Sequence, residues 1–160
     1  MNFAEYAAVA PEEIPEAKLL PIGSYEWKII RAPETKPSAN GDWTLINFLC
    51  RVVRPIDDFE SPEELEDFGD PAGEVRTLMF MFPEARRDDE DEKGLQRRKD
   101  QAMRQIMRFL TVDLGLEPAP VAELLSASVN QTFLGMIEHE ADRRDPDVIR
   151  DRLRRTAPLA

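Results

Sequence analysis

Trp27 and Trp43 are the residues closest to chemistry, because each stands in a β-rich run among cations. Lys28 and Arg31 follow the first, Lys36 precedes the second, and Arg51, Arg54 and Arg76 lie further along. An indole offers a face on which a nucleobase can stack, worth about 1–3 kcal/mol per base, and nearby cations can track a phosphate backbone. Tyr25 shares parity with Trp27 and could serve in the same way. The opposing reading packs these rings in a core and leaves the cations as solvated surface charges. Arg86 and Arg87 form a second rank. The arginines at 150, 152, 154 and 155 either line the far wall of such a groove or keep an edge strand from pairing.

Other chemistries lack their residues. His139, in Glu138-His139-Glu140, has no second His or Cys at ligand spacing, so no metal is expected. Cys50 is the sole cysteine and sits among apolar neighbours. No Walker loop, GxGxxG or zinc spacing occurs. Carboxylates are plentiful, yet none is paired with a base or nucleophile, so the expectation is no catalytic residue, no cofactor and no enzyme.

A formal net charge of −11 over 160 residues argues at first sight against an anionic partner. The acids are unevenly placed, however. Asp57 to Glu74 holds nine of them and no base, and the remainder of the chain sums to −2. Phosphate binding depends on local Lys/Arg density rather than on the total.

The elements that must position these residues follow from periodicity. Residues 1–18 read as a polar lead-in with one helical turn or none, including the proline-bracketed Pro11 to Pro15. Ser24 to Arg31 alternates with a period of two and reads as a strand. Asn40-Gly41 favours a hairpin turn. Trp43 to Arg54 follows as a long strand, with Thr44, Ile46, Phe48, Cys50 and Val52 as its core face. Trp43, Leu45, Asn47, Leu49 and Arg51 make a mixed face able to meet a ligand. Asp57 to Glu74 is an insertion loop in which Ser61 would cap a turn of helix begun by Pro62. Glu74 to Phe82 is a third strand whose nearly continuous apolar run hides its buried face; Phe80 and Phe82 are assigned to the core.

Asp88 to Leu114 shifts to helical period, with Met103, Ile106, Phe109 and Leu110 as a core stripe and Gly115 as a left-handed stop. Pro120 to Ala127 reads as a short helix and Gln131 to Glu140 as a strand. The segment from Asp145 onward fits a helix or an edge strand. No apolar run approaches a membrane span, Met1 to Pro15 lacks the pattern of a secretory signal, and one cysteine suits a reducing compartment. A cytoplasmic location is the expectation.

Three strands, a long helix and two strands is the order of the OB-fold. Leu20-Pro21-Ile22-Gly23-Ser24-Tyr25-Glu26-Trp27-Lys28-Ile29-Ile30 resembles the opening of the single-stranded-DNA-binding proteins of tailed phages. Asn40 to Leu45 sits where that family turns its first hairpin, Phe133-Leu134-Gly135-Met136-Ile137 is similar to its fourth strand, and Asp151 to Leu159 to its last. The resemblance runs from Leu20 to the C-terminus. It implies a mainly β protein with α, a five-stranded OB-fold Greek-key barrel with a long helix between the third and fourth strands. Residues 19–160 would form one domain with an acidic insertion loop at 57–74.

The function implied is binding of single-stranded DNA without strong sequence preference, in phage DNA replication or recombination, inside the host cytoplasm. Tyr25, Trp27 and Trp43 would stack bases, and Lys28, Arg31, Lys36, Arg51, Arg54 and Arg76 would meet phosphates. Phage or host replication and recombination proteins are the further partners, with no membrane; a homo-oligomer is left open. Two departures stand out: this chain ends basic where such proteins often end acidic, and its acidic block lies after the second strand. That block either folds over the basic groove as a competitor or is a solubilising loop. The alternative function is a protein-interaction or structural module on the same barrel, for example an acidic DNA-mimicking inhibitor.

Overall fold

The computed structural model describes residues 2–10 and 18–159, so Pro11 to Pro15 lie outside the described residues. The lead-in forms one short helix, α1 (Phe3–Ala7). Asn2 accepts the Glu5 N–H at 2.9 Å and the Glu5 carboxylate accepts the Asn2 N–H at 3.1 Å, which is a capping box.

The first strand, β1 (Gly23–Ile29), buries Tyr25, Trp27 and Ile29 as the alternation requires. A short strand, β2 (Glu34–Pro37), then pairs with the start of β3 (Trp43–Asp57), across a turn in which Gly41 has φ +77°. The sequence places no strand at 34–37, and this addition raises the count among the described residues from the expected five strands to six. Pro37 is tolerated there because β2 lies at the end of the strand order, where a missing N–H breaks no second ladder.

The long strand β3 organises the sheet. One of its edges pairs with β2 and then with β1, and the other pairs antiparallel with β4 (Val75–Pro83). Ile46, Phe48, Cys50 and Val52 point into the core, while their odd-numbered neighbours from Trp43 to Arg51 point out. The expected division of faces holds from Ile46 to Val52, whereas Thr44, expected on the core face, is only half-buried and its Oγ1 donates to the Glu84 carboxylate at 3.2 Å.

Between β3 and β4 the acidic segment is seated on the sheet rather than detached from it. Ser61 Oγ accepts the Glu64 N–H at 3.3 Å and Pro62 opens α2 (Pro62–Phe68), as capping chemistry predicts. The Phe59 ring lies against Gly23, where a side chain would collide with it, and meets Tyr25 edge-on at 5.3 Å. Phe68 also packs on the core. Gly73 N–H donates to Val52 O and Val52 N–H to Glu74 O, so the segment rejoins the sheet directly.

The long helix α3 (Glu92–Arg108) starts later than Asp88 because Asp91 caps it, accepting the Gly94 N–H at 2.7 Å. Its last turn widens into a π-helical turn, Phe109–Asp113, in which Leu114 N–H reaches back to Phe109 O. Gly115, at φ +70°, ends it. The widened turn delivers Phe109 and Leu110 to the core, where the Phe109 ring contacts Phe48 at 5.2 Å, Phe80 at 5.3 Å and Phe133 at 5.1 Å. Each such buried ring stabilises the fold by about 1.5–3 kcal/mol.

After α4 (Val121–Ala127), β5 (Thr132–Ala141) pairs with β1 on one edge and β6 (Ile149–Ala157) on the other. The ambiguous last segment is therefore a strand, with Leu153 buried opposite Ile137 and Arg150, Arg152 and Arg154 turned outward. The result is a mainly β protein: an antiparallel sheet in the order β2-β3-β1-β5-β6, with β4 on the far edge of β3 and the long helix after β4. β4 and β6 approach each other without forming a ladder. Among the described residues no helix is long and apolar enough to cross a membrane.

Candidate functional site

The outward face of β3 and its neighbours combines exposed apolar side chains with cations. Register fixes the pairs: Lys36 lies opposite Leu45 and Met81, Glu34 opposite Asn47 and Met79, and Lys28 opposite Arg51 and Val75. Val75, Met79 and Met81 are 37%, 46% and 42% exposed, an unusual share of large apolar groups for one strand face. Lys28 and Arg51 are like charges directly across a strand pair, an arrangement that costs stability unless an anion joins them.

Trp43 sits at the head of this face. Its N–H donates to Ser38 Oγ at 3.1 Å, its carbonyl accepts the Ser38 N–H at 2.9 Å, and its side chain is partly exposed. The Arg98 guanidinium lies over the indole, 5.4 Å from the ring centroid. Arg98 is itself gripped by both carboxylate oxygens of Glu90 at 2.7 Å and by Ala85 O at 2.9 Å.

Of the nine residues expected to bind, the structure brings Lys28, Lys36, Trp43 and Arg51 together on the outer face, with Arg31 exposed in the loop that follows β1. Two others are corrected, and Arg54 and Arg76 are engaged in ion pairs. Tyr25 and Trp27 are fully buried and present no face for stacking. Tyr25 Oη donates to Pro21 O at 2.6 Å, and Trp27 Nε1 donates to Gly135 O at 3.0 Å, so their polar atoms are satisfied inside the protein. Burial pushes the Tyr25 phenol well above its ordinary value, the Asp151 charge adds to this and Arg76 opposes it. Arg54 is paired with Glu26 at 3.0 Å, and Arg76 is engaged by Asp151 at 2.7 Å and Glu74 at 3.3 Å.

The second-rank cations divide similarly. Arg86 pairs with Glu92 at 3.4 Å. The four arginines of β6 are matched by acids of β5 and the turn after it: Arg150 by Asp142, Arg152 and Arg154 by Glu140, and Arg155 by Glu138. They lace the final strand to its neighbour. A groove of about 1400 Å³ over β4 and β6, lined by Phe68, Arg76, Arg144, Ile149, Arg150 and Asp151 among others, mixes charges that largely neutralise one another.

Residues that the sequence did not single out are Val75, Met79 and Met81. Their run is apolar throughout, and only pairing with β3 reveals which members face outward. Arg98 was hidden as one of several helix arginines. His139 has a structural partner, its Nε2 lying 2.6 Å from Leu20 O, and no cluster of metal-ligand type occurs among the described residues. Neither the models of known protein families nor the curated proteins contain a match to this chain.

Proposed function

We propose that this protein is an OB-fold single-stranded-DNA-binding protein that coats exposed strands without strong sequence preference and performs no chemistry on them. The fold reading is supported by strand pairing. If β2 is counted as an extension of the first arm, β1, β3, β4, β5 and β6 correspond to the five barrel arms, with the long helix between the third and fourth. The approach of β4 to β6, bridged by Arg76 and Asp151, stands where such a barrel closes.

One observation carries the functional reading. Among the described residues, every arginine of β6, together with Arg54 and Arg76, is paired with a carboxylate, whereas Lys28, Lys36 and Arg51 have no such partner. Those three lie along one side of the exposed strip of Val75, Met79 and Met81, with Glu34 between Lys36 and Lys28 and with Trp43 at one end. Apolar and aromatic faces for bases beside free cations for phosphates are what a flexible polyanion needs. The phage setting, in replication or recombination, rests on the resemblance of the Leu20 to Ile30 and Phe133 to Ile137 segments.

Binding of labelled oligo-dT across a salt series tests this. Three phosphate contacts give log K a slope of about −2 against log salt, at about −0.7 per contact for single strands. Folded protein that leaves oligo-dT unbound at low salt would turn the same apolar strip into a protein-interaction surface.

A further inference from the structure

We infer that Arg98 is a positioning residue that backs one face of the Trp43 indole and turns its other face toward a base. This rests on the reading of the outer face as a single-strand-binding surface. Trp43 stands at the end of a strand beside a hairpin turn, where a large side chain has room to change rotamer and every reorientation costs binding. The guanidinium over its ring restricts that freedom.

The restraint is built from both ends. Asp42 O, immediately before Trp43, accepts the N–H groups of Glu84 and Ala85 at 2.8 and 3.2 Å. Ala85 O in turn accepts from Arg98 Nη2. The short stretch after β4 thus ties the indole's backbone and the guanidinium above it into one unit. Glu90 completes the arrangement by holding Arg98 bidentately, which fixes the plane of the guanidinium. With its charge matched by Glu90, Arg98 is a poor phosphate ligand. Its planar face remains free to stack.

Fluorine NMR of the full chain carrying 5-fluorotryptophan tests the free protein, with the Trp43 resonance assigned through Trp43→Phe. In Arg98→Ala the Trp43 resonance should move toward its unfolded position while the buried Trp27 resonance stays. An unmoved Trp43 resonance overturns the proposal. In oligo-dT binding, Arg98→Ala and Arg98→Lys should each weaken affinity as Trp43→Ala does, about 5- to 150-fold, with the salt slope unchanged. Adding Arg98→Ala to Trp43→Ala should weaken it no further. Losses that multiply, with a slope shallower by about 0.7, would make Arg98 a phosphate ligand and overturn the positioning role. Full affinity in Arg98→Lys would do the same, since a point charge would then suffice. A wild-type protein that ignores oligo-dT overturns the single-strand reading instead, so the two failures are told apart.

Discussion

Arg76 of β4 and Asp151 of β6 meet across two strand edges that share no ladder, with Arg76 Nε and Nη2 donating to the two carboxylate oxygens at 2.7 and 2.9 Å. Asp151 also accepts the Leu20 N–H at 2.9 Å, so one carboxylate ties together β4, β6 and the approach to β1. Its side chain is 9% exposed and that of Arg76 is 22% exposed. Removing one partner strands the other in a poorly solvated place. Asp151→Asn or Arg76→Met should lower unfolding free energy by about 3 kcal/mol in urea titration, the lower end of the range for breaking a buried pair. A change below about 0.5 kcal/mol would mean that the seam is held by its apolar surroundings alone.

Acid should weaken the fold through carboxylates held below their ordinary range, which are Asp142 in the exposed turn after β5 and, at the two tertiary contacts, Asp151 and Glu90. Burial alone would raise the Asp151 value, but the hydrogen bonds from Arg76 and Leu20 N–H outweigh it and hold the group below the ordinary range. Glu90 is held down to about 2, chiefly by its hydrogen bonds from Arg98. Both groups bind protons more weakly when folded than when unfolded. Their contribution is therefore complete above the unfolded values and is lost as pH falls through the folded ones. Thermal melting should be flat between pH 7 and pH 5 and fall below about 4.5, where free carboxyls begin to protonate. In Glu90→Gln/Asp151→Asn that fall should be shallower. An equally steep fall in the double variant would assign acid sensitivity to other carboxylates.

Substitutions on β3 and β4 should separate stability from binding by residue parity. Met79→Ser and Met81→Ser, on the outer face, should change stability by about 0.5 kcal/mol or less while weakening oligo-dT binding. Phe48→Ala, fully buried between Phe80 and Phe109, should cost about 3–5 kcal/mol. Parallel denaturation and binding measurements decide the matter, and undiminished binding by both methionine variants would remove the strip from the interface.

Cys50 offers an independent check on the core. Its side chain is inaccessible, its Sγ–H donates to Phe48 O at 3.5 Å, and burial pushes the thiol up to about 12, against a smaller lowering by the Leu78 backbone N–H beside the sulfur. A disulfide reagent at neutral pH should leave it unmodified in folded protein and react at once in denaturant. Rapid labelling under native conditions would show that β3 opens locally.

Much of the architecture was legible because alternation is local. The period of two at Tyr25, Trp27 and Ile29 identified a strand, and that at Ile46, Phe48, Cys50 and Val52 identified a strand together with its core face. The shift to helical spacing before Leu95 and the stop at Gly115 were equally readable. What escaped depended on long-range pairing. Nothing local marks Glu34 to Pro37 as a strand, since all four residues are exposed and one is proline. The same alternation that revealed β1 could not say which face carried function, so Tyr25 and Trp27 were cast as ligands when they are the largest side chains of the core. Arg54 and Arg76 looked like free cations because Glu26 and Asp151, their partners, lie 28 and 75 positions away. The acidic segment's anchorage was invisible for a similar reason: Phe59 finds its seat on Gly23 only once β1 and β3 are side by side.

The division of β3 into an inward and an outward set has a consequence for how such a protein can change over generations. Odd positions from Trp43 to Arg51 touch little of the core, while the even positions from Ile46 to Val52 are sealed within it. A lineage can therefore rewrite the outer letters, exchanging one surface specificity for another, with little risk to the scaffold. The inner letters admit only apolar groups of matching volume. Variation confined to alternate residues along a single strand is the trace that this arrangement would leave.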